Sequence, residues 1–108
     1  MNGKGNSTDS HAFSFIDAQL RRFYRAQKHK IIMNWRKKDE FESALAESDI
    51  MYDRSRFYED GGYYVAELEI DSTFWEDSIE ATKELCEEWN ATYRSDPSID
   101  EIVIRLKL

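Results

Sequence analysis

Residues 51–70 read MYDRSRFYEDGGYYVAELEI, and this stretch carries the clearest structural signal in the chain. Two strand-like runs, 51–58 and 63–70, are separated by EDGG, whose paired glycines supply positive φ without steric cost. The second run alternates in polarity, and its inward positions are Tyr64, Ala66, Leu68 and Ile70. This alternation predicts a β-hairpin with one buried face and one solvated face.

After the hairpin, residues 73–93 show the strongest helical periodicity in the sequence. Thr73 and Glu76 match the T-x-x-E pattern that caps helix N-termini. One face of this predicted helix carries Trp75, Ile79, Thr82, Cys86, Trp89 and Tyr93. A loop is predicted at 94–98, and the alternation of residues 99–108 predicts a final strand.

The sequence before the hairpin contains two helix candidates and one ambiguous segment. Residues 14–29 place an apolar side opposite a basic side at helical spacing, and residues 39–48, with Asp39 as a candidate cap, form a shorter amphipathic pattern. Lys30–Trp35 reads KIIMNW, which fits either a buried strand or an extension of the first helix. We favour the strand.

These elements follow one another as α-β-α-β-β-α-β, so the predicted fold class is α+β. Without the first helix, the order β-α-β-β-α-β matches the ferredoxin-like pattern, an antiparallel sheet with helices on one face. If Lys30–Trp35 is helical instead, the alternative is a three-stranded sheet with a helical N-terminal lobe. Residues 1–11 are predicted to form a flexible tail, and residues 12–108 a single α+β domain.

The composition of the chain indicates which kinds of fold and cellular compartment suit the protein. The chain has 108 residues and a single cysteine, Cys86, so it can bury a core but cannot form an internal disulfide. One cysteine fits a reducing compartment, and no stretch approaches the roughly 20 apolar residues of a membrane span. The first residues have no apolar core of the kind that signal peptides need. We therefore expect a cytoplasmic protein without a membrane span.

Charge divides the chain in two. Residues 1–38 contain nine Lys or Arg and two Asp, whereas residues 39–108 contain six Lys or Arg and twenty Asp or Glu. One face of the predicted helix 73–93 carries six carboxylates, those of Glu76, Asp77, Glu80, Glu84, Glu87 and Glu88. Such a face is most often plain solvated surface, and its functional interpretation is a docking surface for a basic partner.

The basic side of the predicted helix 14–29 is the second candidate site. Its cations are Arg21, Arg22, Arg25 and Lys28. They suit contacts with nucleic-acid phosphates or with an anionic membrane surface. The simpler interpretation is that the apolar side packs on the domain while the basic side is solvated or pairs with the chain's own acids. A basic helix behind a flexible tail also suits exchange between two copies in a homodimer.

Two other kinds of site have weaker support. Outward aromatic side chains on the hairpin, with Tyr52, Tyr58 and Tyr63 as candidates, suggest the stacking platform of RNA-recognition domains, but two glutamates on the same face would repel phosphates. The two histidines, His11 and His29, have no motif partner, and the sequence shows no metal or phosphate-loop pattern. We predict no enzyme, no metal and no cofactor.

The sequence favours a small acidic protein that binds another macromolecule through its acidic helix face, as inhibitors, immunity proteins, antitoxins and nucleic-acid mimics do. The expected partner is a basic protein. The alternative is a nucleic-acid-associated module that uses the basic N-terminal helix. A third hypothesis is a small-ligand or enzyme domain with a pocket at a dimer interface.

Overall fold

The computed structural model describes the backbone of residues 7–108 and the side chains of residues 19–108. Its helices and strands, in chain order, are α1 (Ser7–Glu47), β1 (Tyr52–Asp60), β2 (Tyr63–Ile70), α2 (Trp75–Trp89), β3 (Thr92–Asp96) and β4 (Glu101–Lys107). The strands form one antiparallel sheet in the order β1-β2-β4-β3. The fold class is therefore α+β, as predicted.

By its internal contacts the chain divides into two compact units, Met1–Trp35 and Arg36–Leu108. The second unit contains the sheet, α2 and residues 36–47 of α1. The predicted tail, residues 1–11, falls partly outside the described residues, since the described backbone begins at Ser7 in α1. The domain organisation drawn from the sequence stays a prediction.

The hairpin forms where the sequence places it. β1 and β2 pair along their length and are joined by Gly61 and Gly62, which have φ values of 56° and 84°. Two successive residues with positive φ give a turn whose twist matches that of the strands, and glycine adopts it without a Cβ clash. A register shift between Tyr52 and Arg54 marks a β-bulge, and Tyr52 packs against the core instead of facing outward.

The hydrophobic core lies between one face of the sheet and the helical residues of the second unit. Leu68 of β2 and Ile104 of β4 are almost fully buried on this face. Phe41 and Leu45 of α1 have 0% exposure, and Leu85 of α2 completes the contact. Burying each side chain of this size stabilises the fold by about 1.5–3 kcal/mol, and these contacts hold α2 and residues 36–47 of α1 on the same face of the sheet.

Lys30–Trp35 is helical, so the favoured prediction of a strand here is wrong. α1 runs without interruption through the predicted helix 14–29 and through the predicted helix 39–48 as far as Glu47, and Asp39 is consequently not a helix cap. Adjacent isoleucines lower helix propensity by only a few tenths of a kcal/mol each. The segment contains no glycine or proline that would end the preceding helix.

The fourth strand comes instead from Thr92–Asp96, which was predicted as helix end and loop. α2 ends at Trp89 because Asn90 adopts the left-handed conformation, φ 54° and ψ 41°, and its N–H reaches the carbonyls of Cys86 and Glu87. The element order is therefore α-β-β-α-β-β. The ferredoxin-like order is not confirmed, and the three-stranded alternative lacks β3.

The start of α2 also differs from its prediction. Asp71, not Thr73, supplies the capping side chain, because its Oδ1 accepts a hydrogen bond of 3.0 Å from the Thr73 N–H. This bond closes a single 3-10 turn, Ser72–Phe74, and α2 follows from Trp75 without a side-chain cap of its own.

Two small polar residues lie at the centre of the buried face of α2. Ser78 and Thr82 both have 0% exposure. The Thr82 hydroxyl donates to the Ser78 carbonyl at 2.7 Å, and the Ser78 hydroxyl accepts from the Met51 N–H at 3.0 Å. These bonds satisfy the buried groups and tie the start of the hairpin to α2. The predicted face included Thr82 but not Ser78.

Candidate acidic docking surface

All six predicted carboxylates are exposed on α2. Five of them line three open depressions that share residues with one another. We name the acidic lining residues of these depressions the acidic surface: Glu47, Asp49, Asp77, Glu80, Glu84, Glu87 and Glu88. Glu76 is exposed in the first turn of α2 but lines none of the three. Five of the six predicted residues therefore belong to one continuous surface.

Residues from outside α2 enlarge this surface, and sequence reasoning missed them. Glu47 is the last residue of α1, and Asp49 lies two residues further along the chain. Both are exposed beside α2. Their acidity is visible in the sequence, but their position next to α2 follows from core packing of Phe41 and Leu45 against the sheet. No local pattern carries that information.

Positive charge is scarce on the acidic surface. Among the described residues that line the three depressions, Lys83 is the one Lys or Arg. Its Nζ lies 3.2 Å from Oε1 of Glu80, and this hydrogen bond and ion pair raise the pKa of Lys83. The remaining carboxylates give the surface a net negative potential that attracts cationic groups.

Several charges of α2 oppose its stability, although the acids in its first turn favour it through the helix dipole. Glu76, Glu80, Glu84 and Glu88 follow one another at i,i+4 spacing, where like charges cost about 0.2–0.5 kcal/mol per pair. Glu87 and Glu88 occupy the last turn, which has no basic residue, and the negative end of the helix dipole disfavours them there. A helix selected for stability alone would place cations at these positions.

Two exposed apolar side chains interrupt the acidic surface. Met51 is 47% exposed and Phe74 is 39% exposed, and both line one depression together with Asp49, Asp77 and Glu84. Protein interfaces commonly combine a central apolar anchor with a polar or charged rim. The depression has this composition.

The basic candidates lie in the first unit. Arg21, Arg22, Arg25 and Lys28 are all exposed on α1. The apolar side chains interspersed with them are exposed as well, with Phe23 at 58% and Tyr24 at 69%. Over the side chains described from residue 19 onward, the expectation that this apolar side would be buried is therefore not met.

The outer face of the sheet is organised by its own ion pairs. The Arg56 guanidinium lies 5.0 Å from the ring centre of Tyr58 and 3.6 Å from Oε1 of Glu67. The Tyr58 hydroxyl donates to Oε2 of Glu67 at 2.9 Å, and this bond raises the pKa of Tyr58. This cluster resembles a structural network in which each charged group has a partner.

A second cluster covers the other outward tyrosine. The Arg105 guanidinium lies 4.6 Å from the ring centre of Tyr63 and 3.6 Å from Oδ2 of Asp60. Val65, an outward residue of β2, is only 1% exposed. Arginines of the chain itself thus contact both rings that an RNA-stacking platform would need, and carboxylates neutralise those arginines.

The groups with catalytic potential do not converge. His29 is exposed on α1, and the side chain of His11 lies outside the described residues. Cys86 is 6% exposed, and burial raises the pKa of its thiol to about 11, so the thiol is protonated and unreactive at neutral pH. Within residues 19–108, no three His, Cys, Asp or Glu side chains are arranged to hold a metal ion.

The chain matches no protein-family model, no curated protein and no solved structure. Neither helix, over its described residues, is long and apolar enough to cross a membrane. The function must therefore be inferred from the acidic surface and the other described side chains alone.

Proposed function

We propose that this protein binds a partner protein with a basic surface, and that the acidic surface is its docking site. The observation that carries the proposal is the depression in which Met51 and Phe74 are surrounded by Asp49, Asp77 and Glu84. Carboxylates around it steer a basic partner and set its orientation, while desolvation of the apolar anchors supplies affinity.

Two features support this function over a purely solvating role for the carboxylates. The like charges at i,i+4 spacing and the acids in the last turn of α2 reduce the stability of the helix, which solubility alone does not require. On the sheet, in contrast, several carboxylates have a cation of the chain beside them, as Arg56 with Glu67 and Arg94 with Glu101 illustrate. Among the described residues, the acidic surface has Lys83 as its one cation, and a basic partner would supply the others.

The proposed setting is the cytoplasm, which the single buried thiol of Cys86 supports. A homodimer, with or without a pocket at its interface, stays a prediction, and so does the nucleic-acid alternative through Arg21, Arg22, Arg25 and Lys28.

Affinity capture from native lysate tests the docking site when it is combined with charge-matched variants. Glu80→Lys with Glu84→Lys reverses two charges of the acidic surface. Asp53→Lys with Glu69→Lys makes the same change in net charge at exposed positions outside it. We expect the first pair to abolish capture of a specific basic protein and the second pair to retain it, since the charges steer only where they face the partner.

Phe74→Ser separates specific docking from general attraction between opposite charges. If the depression is an interface, this uncharged substitution weakens binding of the captured partner about tenfold or more, because a buried aromatic anchor is lost. Equal losses from both charge-reversal pairs, together with no effect of Phe74→Ser, would show that the protein attracts cations without a docking site. Salt-sensitive binding of DNA or RNA that Arg22→Glu with Arg25→Glu removes would favour the nucleic-acid alternative.

A further inference from the structure

Residues 19–35 of α1, which we name the amphipathic segment, carry an exposed apolar stripe. The members of this stripe are between 49% and 70% exposed: Leu20, Phe23, Tyr24, Ile31 and Trp35. At about 100° per residue, they fall within an arc of about 120° on the helix, which also contains Gln27 and Asn34. Two further apolar side chains, Ile32 and Met33, are 48% and 47% exposed and lie outside this arc. The rings of Phe23 and Tyr24 meet edge to face with centroids 6.1 Å apart. Large apolar side chains exposed together mark an interaction surface.

Cations border this stripe. The amphipathic segment contains no Asp or Glu, and its Lys and Arg residues are Arg21, Arg22, Arg25, Lys28 and Lys30, all exposed. On a helical projection, Lys28 lies along one edge of the stripe and Lys30 lies along the other. Arg22 and Arg25 occupy the opposite side. The occupant of the stripe must therefore be apolar and must also carry negative charge.

A second copy of the chain does not meet this description. In a pair of identical helices joined through the stripe, the flanking positions of one copy face those of the other. Lys28 and Lys30 would then oppose cations in either orientation, and like charges at such positions repel. The acidic surface of another copy supplies negative charge, but its exposed large apolar side chains are Met51 and Phe74, too few to cover the stripe.

Nucleic acid meets only half of the description. Phosphate contacts would use the cations but would leave Leu20 and Ile31 in water. The surface of an anionic bilayer offers both components in the right geometry, because headgroup phosphates and carboxylates lie directly above hydrocarbon. Trp35 and Tyr24 suit the boundary between them, where an apolar ring with a polar edge is best accommodated.

We propose that the amphipathic segment lies in the surface of an anionic lipid membrane. Its apolar stripe is inserted between headgroups, Lys28 and Lys30 lie among lipid phosphates and carboxylates, and Arg22 and Arg25 are attracted by the negative surface potential. This surface association involves no transmembrane helix. It uses a different unit from the acidic surface, so it extends the proposed function and does not depend on it.

Vesicle flotation with the full-length protein tests the proposal. The vesicles are pure phosphatidylcholine or contain about 30% phosphatidylserine, at about 100 mM salt. We expect binding to the anionic vesicles to be at least about tenfold tighter than to neutral ones. Ile31→Ser should weaken this binding about tenfold because it removes an inserted side chain. Arg25→Glu should weaken it several-fold because it removes a cation and adds an acid.

Matched controls come from the second unit. Ile99 is 59% exposed and Ile31 is 62% exposed, so Ile99→Ser removes the same side chain from a comparable surface. Arg54→Glu is the matching charge reversal at another exposed arginine. Both control variants should bind anionic vesicles like the wild type.

Three results would overturn the proposal. One is equal binding to anionic and neutral vesicles, or none to either. Another is an equal loss for Ile31→Ser and Ile99→Ser. The third is the absence of vesicle binding together with another interaction of the segment. That interaction could be self-association that Ile31→Ser abolishes. It could also be DNA or RNA binding that Arg25→Glu abolishes and Ile31→Ser leaves intact. None of these results bears on capture of a basic protein by the acidic surface.

Discussion

Tyr64 connects the sheet to α1 in the second unit. Its hydroxyl donates a hydrogen bond of 2.7 Å to Oε1 of Glu42, and its ring stacks on Phe57 with centroids 5.8 Å apart. The sequence predicted the inward orientation of Tyr64 from the alternation of β2. It could not predict the bond to Glu42, because that contact depends on where α1 packs. Burial, followed by the bond to Glu42, raises the pKa of Tyr64 far above its usual value.

This raised pKa predicts a specific sensitivity to alkali. In the unfolded chain a tyrosine ionises near pH 10, whereas folded Tyr64 keeps its proton, so Tyr64 stabilises the fold fully below about pH 10 and progressively less above it. Tyr64→Phe should cost about 1 kcal/mol at pH 7 through the lost hydrogen bond. It should also lose less stability than the wild type between about pH 9 and pH 11, measured by urea unfolding.

Glu42→Gln serves as the companion variant for this experiment. It removes the carboxylate but leaves Tyr64 buried, and burial is the larger cause of the raised pKa. We expect Glu42→Gln to retain most of the alkaline loss of stability. Parallel pH profiles for the wild type and Tyr64→Phe would contradict the assignment.

At the scale of the elements, sequence patterns correctly predicted the hairpin, whose formation depends on residues close together in the chain. The hairpin follows from alternating side chains and from Gly61-Gly62, and its observed bounds differ little from the predicted ones. Lys30–Trp35 was misassigned because a short apolar run fits a strand or a helix equally well. The residues on both sides of this run are helical, and no residue in or beside it ends a helix, so α1 continues through it.

The end of α2 depends on one residue. Apolar periodicity continued the predicted helix to Tyr93, but Asn90 is left-handed at φ 54° and turns the chain into β3. Asparagine is a recognised residue for this position, yet the sequence alone does not distinguish an asparagine that ends a helix from one exposed within it. The fourth strand was missed for this reason.

Substitutions at Asn90 test this account. Asn90→Ala should destabilise the protein by about 1 kcal/mol, because alanine has a steric cost in the left-handed conformation. Asn90→Gly should be neutral or stabilising by a few tenths of a kcal/mol, because glycine has no such cost. Both changes in the free energy of unfolding can be measured by urea denaturation. If the alanine variant matched the wild type and the glycine variant were the weaker, Asn90 would not act through its backbone conformation.

For the whole molecule, the sequence predicted the sign and helix of the acidic face but not its extent. Tertiary packing adds Glu47, Asp49, Met51 and Phe74, which come from two separate segments of the chain, residues 47–51 and the turn before α2. The basic part of the charge division lies on a helix whose apolar side is exposed. Each half of the division thus has exposed apolar side chains of its own, and we propose a partner of opposite charge for each.

If the acidic surface serves binding, its charges should reduce the stability of the free protein. Glu88→Lys replaces a repulsive i,i+4 pair with Glu84 by an attractive one and places a cation at the C-terminal end of α2. We expect a gain of about 0.5–1 kcal/mol, or roughly 2–6 °C in Tm for a chain of this size. The gain should shrink as salt rises, because screening weakens both effects.

The same variant should bind the captured basic partner more weakly, so stability and binding are expected to change in opposite directions. Asp53→Lys is the control, since it makes the same change in charge at an exposed position of β1 outside α2 and the acidic surface. Asp53→Lys should change neither quantity by more than about 0.5 kcal/mol. If Glu88→Lys stabilised the protein and left partner binding intact, Glu88 would lie outside the docking site. If Glu88→Lys destabilised the protein, the premise that repulsion between carboxylates weakens α2 would be wrong.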